Sequence, residues 1–84
     1  MKKRQERNND IYEIIVTNIK NERKNAKLTQ AELAERSNYS HEFIRRIEAP
    51  NGKKYFSINT LVRLADALDI KVERLLKGIS NEEK

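Results

Sequence analysis

Leu28–Glu48 reads LTQAELAERSNYSHEFIRRIE, and the parsing of this stretch decides the fold. Apolar residues recur at helical spacing before Ser37 and again after Ser40, with only Ser37-Asn38-Tyr39-Ser40 between the two runs. Thr29 stands three residues ahead of Glu32, the spacing at which a hydroxyl caps a helix start while the carboxylate reaches back to the cap's own N–H. Leu28, just before the cap, is placed to pack on Leu33 at the fourth helical position. Ser40 opens the second run in the same way, with Tyr39 ahead of it and Ile44 at the matching position. Ending the first helix so abruptly needs a left-handed residue. Glycine is commonest there and asparagine next, and Asn38 occupies that point. The stretch is two short helices joined by a tight turn.

Helices joined by so short a turn cross steeply, and their backbones approach only where a side chain is small, as Ala34 is. The inward face of the second of the two is Ile44 and Ile47, which leaves His41, Glu42, Arg45 and Arg46 pointing away from the core. A short helix with a polar outer face on a rigid support suits the major groove of B-DNA, about 12 Å wide. The plainer alternative is a solvent-facing helix in which Glu42 pairs with Arg45 or Arg46.

Outward from this stretch the same device recurs. Ser57 caps a helix carrying Leu61, Leu64, Ala65 and Leu68, with Phe56 ahead of the cap. A short fifth helix is expected from Val72 to Lys77, stopped by Gly78. Upstream, a first helix is expected to start at Asp10, with Glu13 at the box position, and to run to Asn25 with Tyr12, Ile15, Val16 and Ile19 as its buried stripe. No segment alternates with period two long enough for a strand. The expected fold class is all-α, five short helices in one compact domain over residues 10–79. Residues 1–9 and 80–84 read as mobile tails. Between the third and fourth helices Pro50 forces Ala49 out of the helix, Asn51-Gly52 makes a turn, and Lys53, Lys54 and Tyr55 lie on a loop.

Eighteen Lys and Arg against thirteen Asp and Glu give a net charge of +5 over 84 residues. A chain of this length is expected to form one modest core, and no small-molecule ligand is expected. The basic balance favours a polyanionic partner. An anionic membrane would want a basic face opposite a bulky apolar one, and the apolar stripes here are needed for the core, so nucleic acid leads. With no Cys and one His there is no cysteine nucleophile and no self-sufficient metal site. The N-terminal MKKRQER lacks the apolar run of a signal peptide, so a cytoplasmic location is expected. Neither a cofactor nor catalysis is expected, since the chain has no glycine-rich phosphate loop and Glu32 and Glu35 are accounted for by capping and an exposed face.

Leu28 to Glu48, with Arg23 upstream and SINTLVRLADALDI downstream, resembles the helix-turn-helix of phage Cro and lambda-type repressors, the XRE family. The motif is Thr-Gln opening the second helix, Leu-Ala inside it, Ile-x-x-Ile-Glu closing the third, and Leu-x-x-Leu-Ala-x-Ala-Leu after the loop. Asn38 stands where the family usually has Gly, and the loop from Ala49 to Phe56 is longer than the common form. The resemblance implies that the third helix reads DNA bases, that Gln30 touches a phosphate and braces that helix, and that Arg23 and Glu48 form a buried pair.

Base contacts are thus expected from His41, Glu42, Arg45 and Arg46. Backbone contacts are expected from Gln30, Ser40, Asn51, Lys53, Lys54, Tyr55 and Asn59, which cluster at the second and third helix starts, on the loop, and at the open end of the fourth helix. The loop residues could equally be charges that keep a loop solvated. Lys2, Lys3, Arg4 and Arg7 read as a disordered basic tail rather than an arm. Ile14, Val62, Leu76 and Ile79 exceed what so small a core needs, so a homodimer through Val62, Leu76 and Ile79 is expected. The expected partner is double-stranded DNA, bound by a dimeric regulator of transcription, a repressor above all. A protein-interaction module of the same fold, such as an antitoxin or a controller contacting polymerase, is the alternative.

Overall fold

The computed structural model describes residues 2–50 and 55–79, with side chains from Ile11 onward. Four α-helices follow one another: α1 (Lys2–Asn25), α2 (Gln30–Ser37), α3 (His41–Glu48) and α4 (Ile58–Leu68). A 3-10 helix, Val72–Leu76, comes last. No strand occurs among the described residues. The all-helical class stands, while the fifth α-helix expected at Val72–Lys77 is a single 3-10 segment one residue shorter. Five residues are too few for the i to i+4 ladder to outcompete i to i+3 bonding at a chain reversal.

The first helix also differs from expectation, beginning at Lys2 and not at Asp10. Lys, Arg, Gln and Glu are good helix formers, and neither Gly nor Pro interrupts residues 2–10, so nothing local stops the helix from propagating past the apolar stripe. The residues 80–84 assigned to a tail lie outside the described residues.

The caps form as the local chemistry requires. Thr29 Oγ1 accepts from Glu32 N at 3.0 Å while Glu32 Oε1 accepts from Thr29 N at 2.7 Å, so each side chain satisfies the other residue's orphan donor. Ser40 Oγ accepts from Phe43 N at 3.0 Å, and Ser57 Oγ from Thr60 N at 3.1 Å. Ala49 is extended, with φ −65° and ψ 146°, as the residue before Pro50 must be.

The helix ends share a second device. Lys27, Asn38 and Asp69 all sit in the left-handed region, at φ 61°, 65° and 61°. In each case the following N–H bonds back across six residues: Leu28 to Arg23 O, Tyr39 to Ala34 O and Ile70 to Ala65 O. The left-handed residue's own N–H closes the inner bond, to Lys24, Glu35 and Asp66 respectively. This pairing satisfies carbonyls that the helix leaves open and turns the chain sharply.

The core is continuous. Ile15, Val16 and Ile19 of α1 meet Leu33 and Ala34 of α2, Ile44 and Ile47 of α3, Leu61, Leu64, Ala65 and Leu68 of α4, and Leu75 of the 3-10 helix. Tyr12, expected within the buried stripe, is only half-buried, because it lies at the core's edge against Tyr55 and Phe56 with both ring centroids 5.2 Å away. Asn18 fastens the 3-10 segment, its Nδ2 donating to Leu75 O and Lys77 O at 2.9 Å each.

Candidate nucleic-acid interface

α3 is held by its inner face. Ile44 and Ile47 are buried, and Glu48, the last residue of the helix, has a side chain only 1% exposed. A carboxylate at that depth must be paired. Arg23, at the end of α1, donates from Nε to Glu48 Oε2 at 2.9 Å and from Nη2 to Oε1 at 3.0 Å, in the two-pronged geometry that a guanidinium matches best. Its Nη1 donates to Leu28 O at 2.7 Å. Gln30 of α2 completes the cluster, Nε2 donating to Glu48 Oε1 at 3.0 Å. One carboxylate therefore joins α1, α2 and α3.

The opposite face of α3 is open. His41, Glu42, Arg45 and Arg46 are all exposed. Their spacing puts them on one side of the helix, away from Ile44 and Ile47. Glu42 and Arg45 approach to 4.0 Å with both side chains about two-thirds exposed, which is too loose and too wet to lock either in place. The outer face thus carries two guanidiniums, an imidazole and a carboxylate free to choose partners.

Around this helix the structure arranges the remaining expected contacts unevenly. Ser40 is exposed at the α3 start, its hydroxyl occupied by the cap. Asn59 is exposed in the first turn of α4. Gln30 is half-buried, and its amide nitrogen gives one hydrogen to Glu48 and keeps the other. Tyr55 is exposed but rests edge-on against Tyr12. Asn51, Lys53 and Lys54 lie outside the described residues. Of the apolar residues assigned to a second chain, Val62 and Leu76 are exposed, at 40% and 37%. Ile79 packs partly against the core, and Ile14 is half-buried beside Gly78.

Sequence reasoning missed how the turn itself is held. Arg63 of α4 donates from Nη2 to Ser37 O at 2.8 Å and to Asn38 O at 3.2 Å, and its guanidinium carbon lies 4.0 Å from the centre of the Tyr39 ring. In sequence Arg63 is one charge on a surface helix, and no local signal ties it to a turn 25 residues upstream. Tyr55, expected on a loop, is 67% exposed, and Ile58 in the first turn of α4 is 77% exposed.

Among the described residues no helix is long and apolar enough to cross a membrane. Searches of curated proteins and of solved structures return no match. Residues 19–75 match the helix-turn-helix family, a span that covers more than half of the chain and includes all of α2, α3, α4 and most of the 3-10 helix. With the turn geometry, the locked inner face of α3 and its open polar outer face, the chain belongs to the helix-turn-helix family of XRE type, whose members are DNA-binding regulators.

Proposed function

We propose that this protein binds double-stranded DNA sequence-specifically as a homodimer on an inverted-repeat operator and acts in the cytoplasm as a repressor. The observation that carries the reading is the contrast between the two faces of α3. Its inner face is fixed by Glu48 to α1 and α2, and its outer face presents Arg45, Arg46, Glu42 and His41 unencumbered. An arginine on an inserted helix gives two hydrogen bonds to guanine O6 and N7, and a glutamate accepts from cytosine N4. Arg46, Arg45 and Glu42 are assigned as base readers, with His41 at the helix start. Gln30, Ser40, Asn51, Lys53, Lys54, Tyr55 and Asn59 are assigned to the sugar-phosphate backbone, where contacts position the protein and carry no direct sequence information.

The test is fluorescence anisotropy of the protein against its selected site and single-base variants of it. Arg46→Ala is expected to flatten preference at one position per half-site by about fivefold or more. Asn59→Ala is expected to weaken all sequences alike. Equal loss on every sequence for Arg46→Ala removes it from the readers. The exposed Tyr55 and Ile58 favour a second reading, a protein-interaction module of the same fold. A parent protein with no preference among DNA sequences makes that the better account.

A further inference from the structure

Tyr39 and Arg63 form a bracket between α4 and the turn. Tyr39 Oη donates to Thr60 Oγ1 at 3.0 Å, and Thr60 is buried on α4 with its own N–H on the Ser57 cap. One face of the Tyr39 ring meets Arg63. The ring also stacks on Phe43 of α3, centroids 4.5 Å apart and planes 29° from parallel. Arg63 meanwhile holds the carbonyls of Ser37 and Asn38, where α2 ends. A cation there complements the negative end of the helix. The contacts run from α4, through the turn, to the first turn of α3.

From this geometry we infer that Arg63 and Tyr39 are positioning residues for base selectivity, fixing the angle at which α3 leaves the turn while touching no DNA themselves. The inference rests on the proposed reading of α3 as the base reader. The physical reason lies in guanidinium shape. A planar fork lies on an aromatic ring and at the same time donates in its plane to two carbonyls; a lysine ammonium, a hydrated point charge on a flexible stem, does not hold both. The Glu48 cluster fixes the C-terminal end of α3, and the Tyr39 bracket fixes its N-terminal end. With both ends held, side chains on the outer face meet base edges at set distances, which two-bond pairs require.

The experiment compares Arg63→Lys and Tyr39→Phe with the parent, each shown folded by circular dichroism at a temperature well below its melting point. Readouts are affinity for the selected site, for single-base variants of it, and for unrelated duplex DNA. Arg63→Lys keeps the charge and Tyr39→Phe keeps the ring, so a phosphate contact or a purely apolar contact survives. The expected result is a loss of at least about fivefold in discrimination between the selected site and its variants, the low end of one well-placed pair. Affinity for unrelated DNA is expected to stay within about twofold, because sequence-independent binding follows the phosphate contacts. Discrimination equal to the parent's in Arg63→Lys overturns the inference while leaving α3 as the reader. A uniform loss on all DNA, or failure of both variants to fold, overturns it too. A parent without sequence preference overturns the underlying reading and this inference together.

Discussion

Glu48 puts a full negative charge at the end of α3, where the helix's own carbonyls are already negative, and buries it. Both circumstances are unfavourable alone. Arg23 and Gln30 turn them into an attachment, and the residues are interdependent for that reason. Arg23→Ala leaves the carboxylate desolvated without its partner and is expected to lower stability by about 3 to 5 kcal/mol, a large share of what a small domain has. Arg36→Ala, on an exposed position of the same region, is expected to stay within about 0.5 kcal/mol of the parent. Chemical denaturation of the two variants decides, and equal midpoints refute the role given to the cluster. The pairing of Arg23 with Glu48 was suggested by resemblance alone, since no periodicity links residues 25 apart. The Gln30 bond follows from the same cluster. Arg63 had no such precedent, and its contacts became visible only once α4 and the turn were side by side.

At the scale of elements, what the sequence revealed was whatever is decided within four residues. Thr29, Ser40 and Ser57 were legible as caps because a hydroxyl and the N–H it serves sit three positions apart. Ser40→Ala is expected to cost about 1 kcal/mol and to loosen the start of α3, measurable as faster amide exchange at Phe43. Asn38 was legible as a left-handed stop; Lys27 and Asp69 were not, because lysine and aspartate have many other uses. Left-handed backbone disfavours any residue with a Cβ, more than the extra freedom of glycine in the unfolded chain disfavours folding. Lys27→Gly is therefore expected to stabilise the fold by about 0.5 to 1 kcal/mol, seen as a higher melting temperature, and a lower one contradicts this account of the helix ends. The start of α1 and the 3-10 character of Val72–Leu76 were illegible for a shared reason. Neither a helix former with no stop signal nor a five-residue run names its own boundary or type.

The described residues measure 40 × 25 × 21 Å along their principal axes. On the proposed reading each copy presents one α3, and two-fold operators space their half-sites about 34 Å apart, so two copies are expected to act together. Val62 and Leu76 are the apolar residues assigned to the interface that the fold leaves exposed, and the contribution of Ile79 is limited by its packing on the core. Leu76→Asp is expected to shift sedimentation at tens of micromolar from dimer to monomer and to weaken binding to a two-fold site far more than to a half-site. A parent that sediments as a monomer at that concentration refutes the dimer.

The Asn18 attachment has a temporal consequence. Leu75 is fully buried, and the backbone around it is hooked to α1 by hydrogen bonds spanning 57 and 59 positions. A nascent chain synthesised only as far as Asp69 already contains α2, the turn and α3, yet lacks the plug that closes the space between α1 and α4. Long-range closure of this kind comes late, after local helices have formed. A fragment ending at Asp69 is expected to lose the single cooperative melting transition of the full chain. A chain that ends before Leu75 is therefore expected to carry its local helices without the buried side chain that closes the core between α1 and α4.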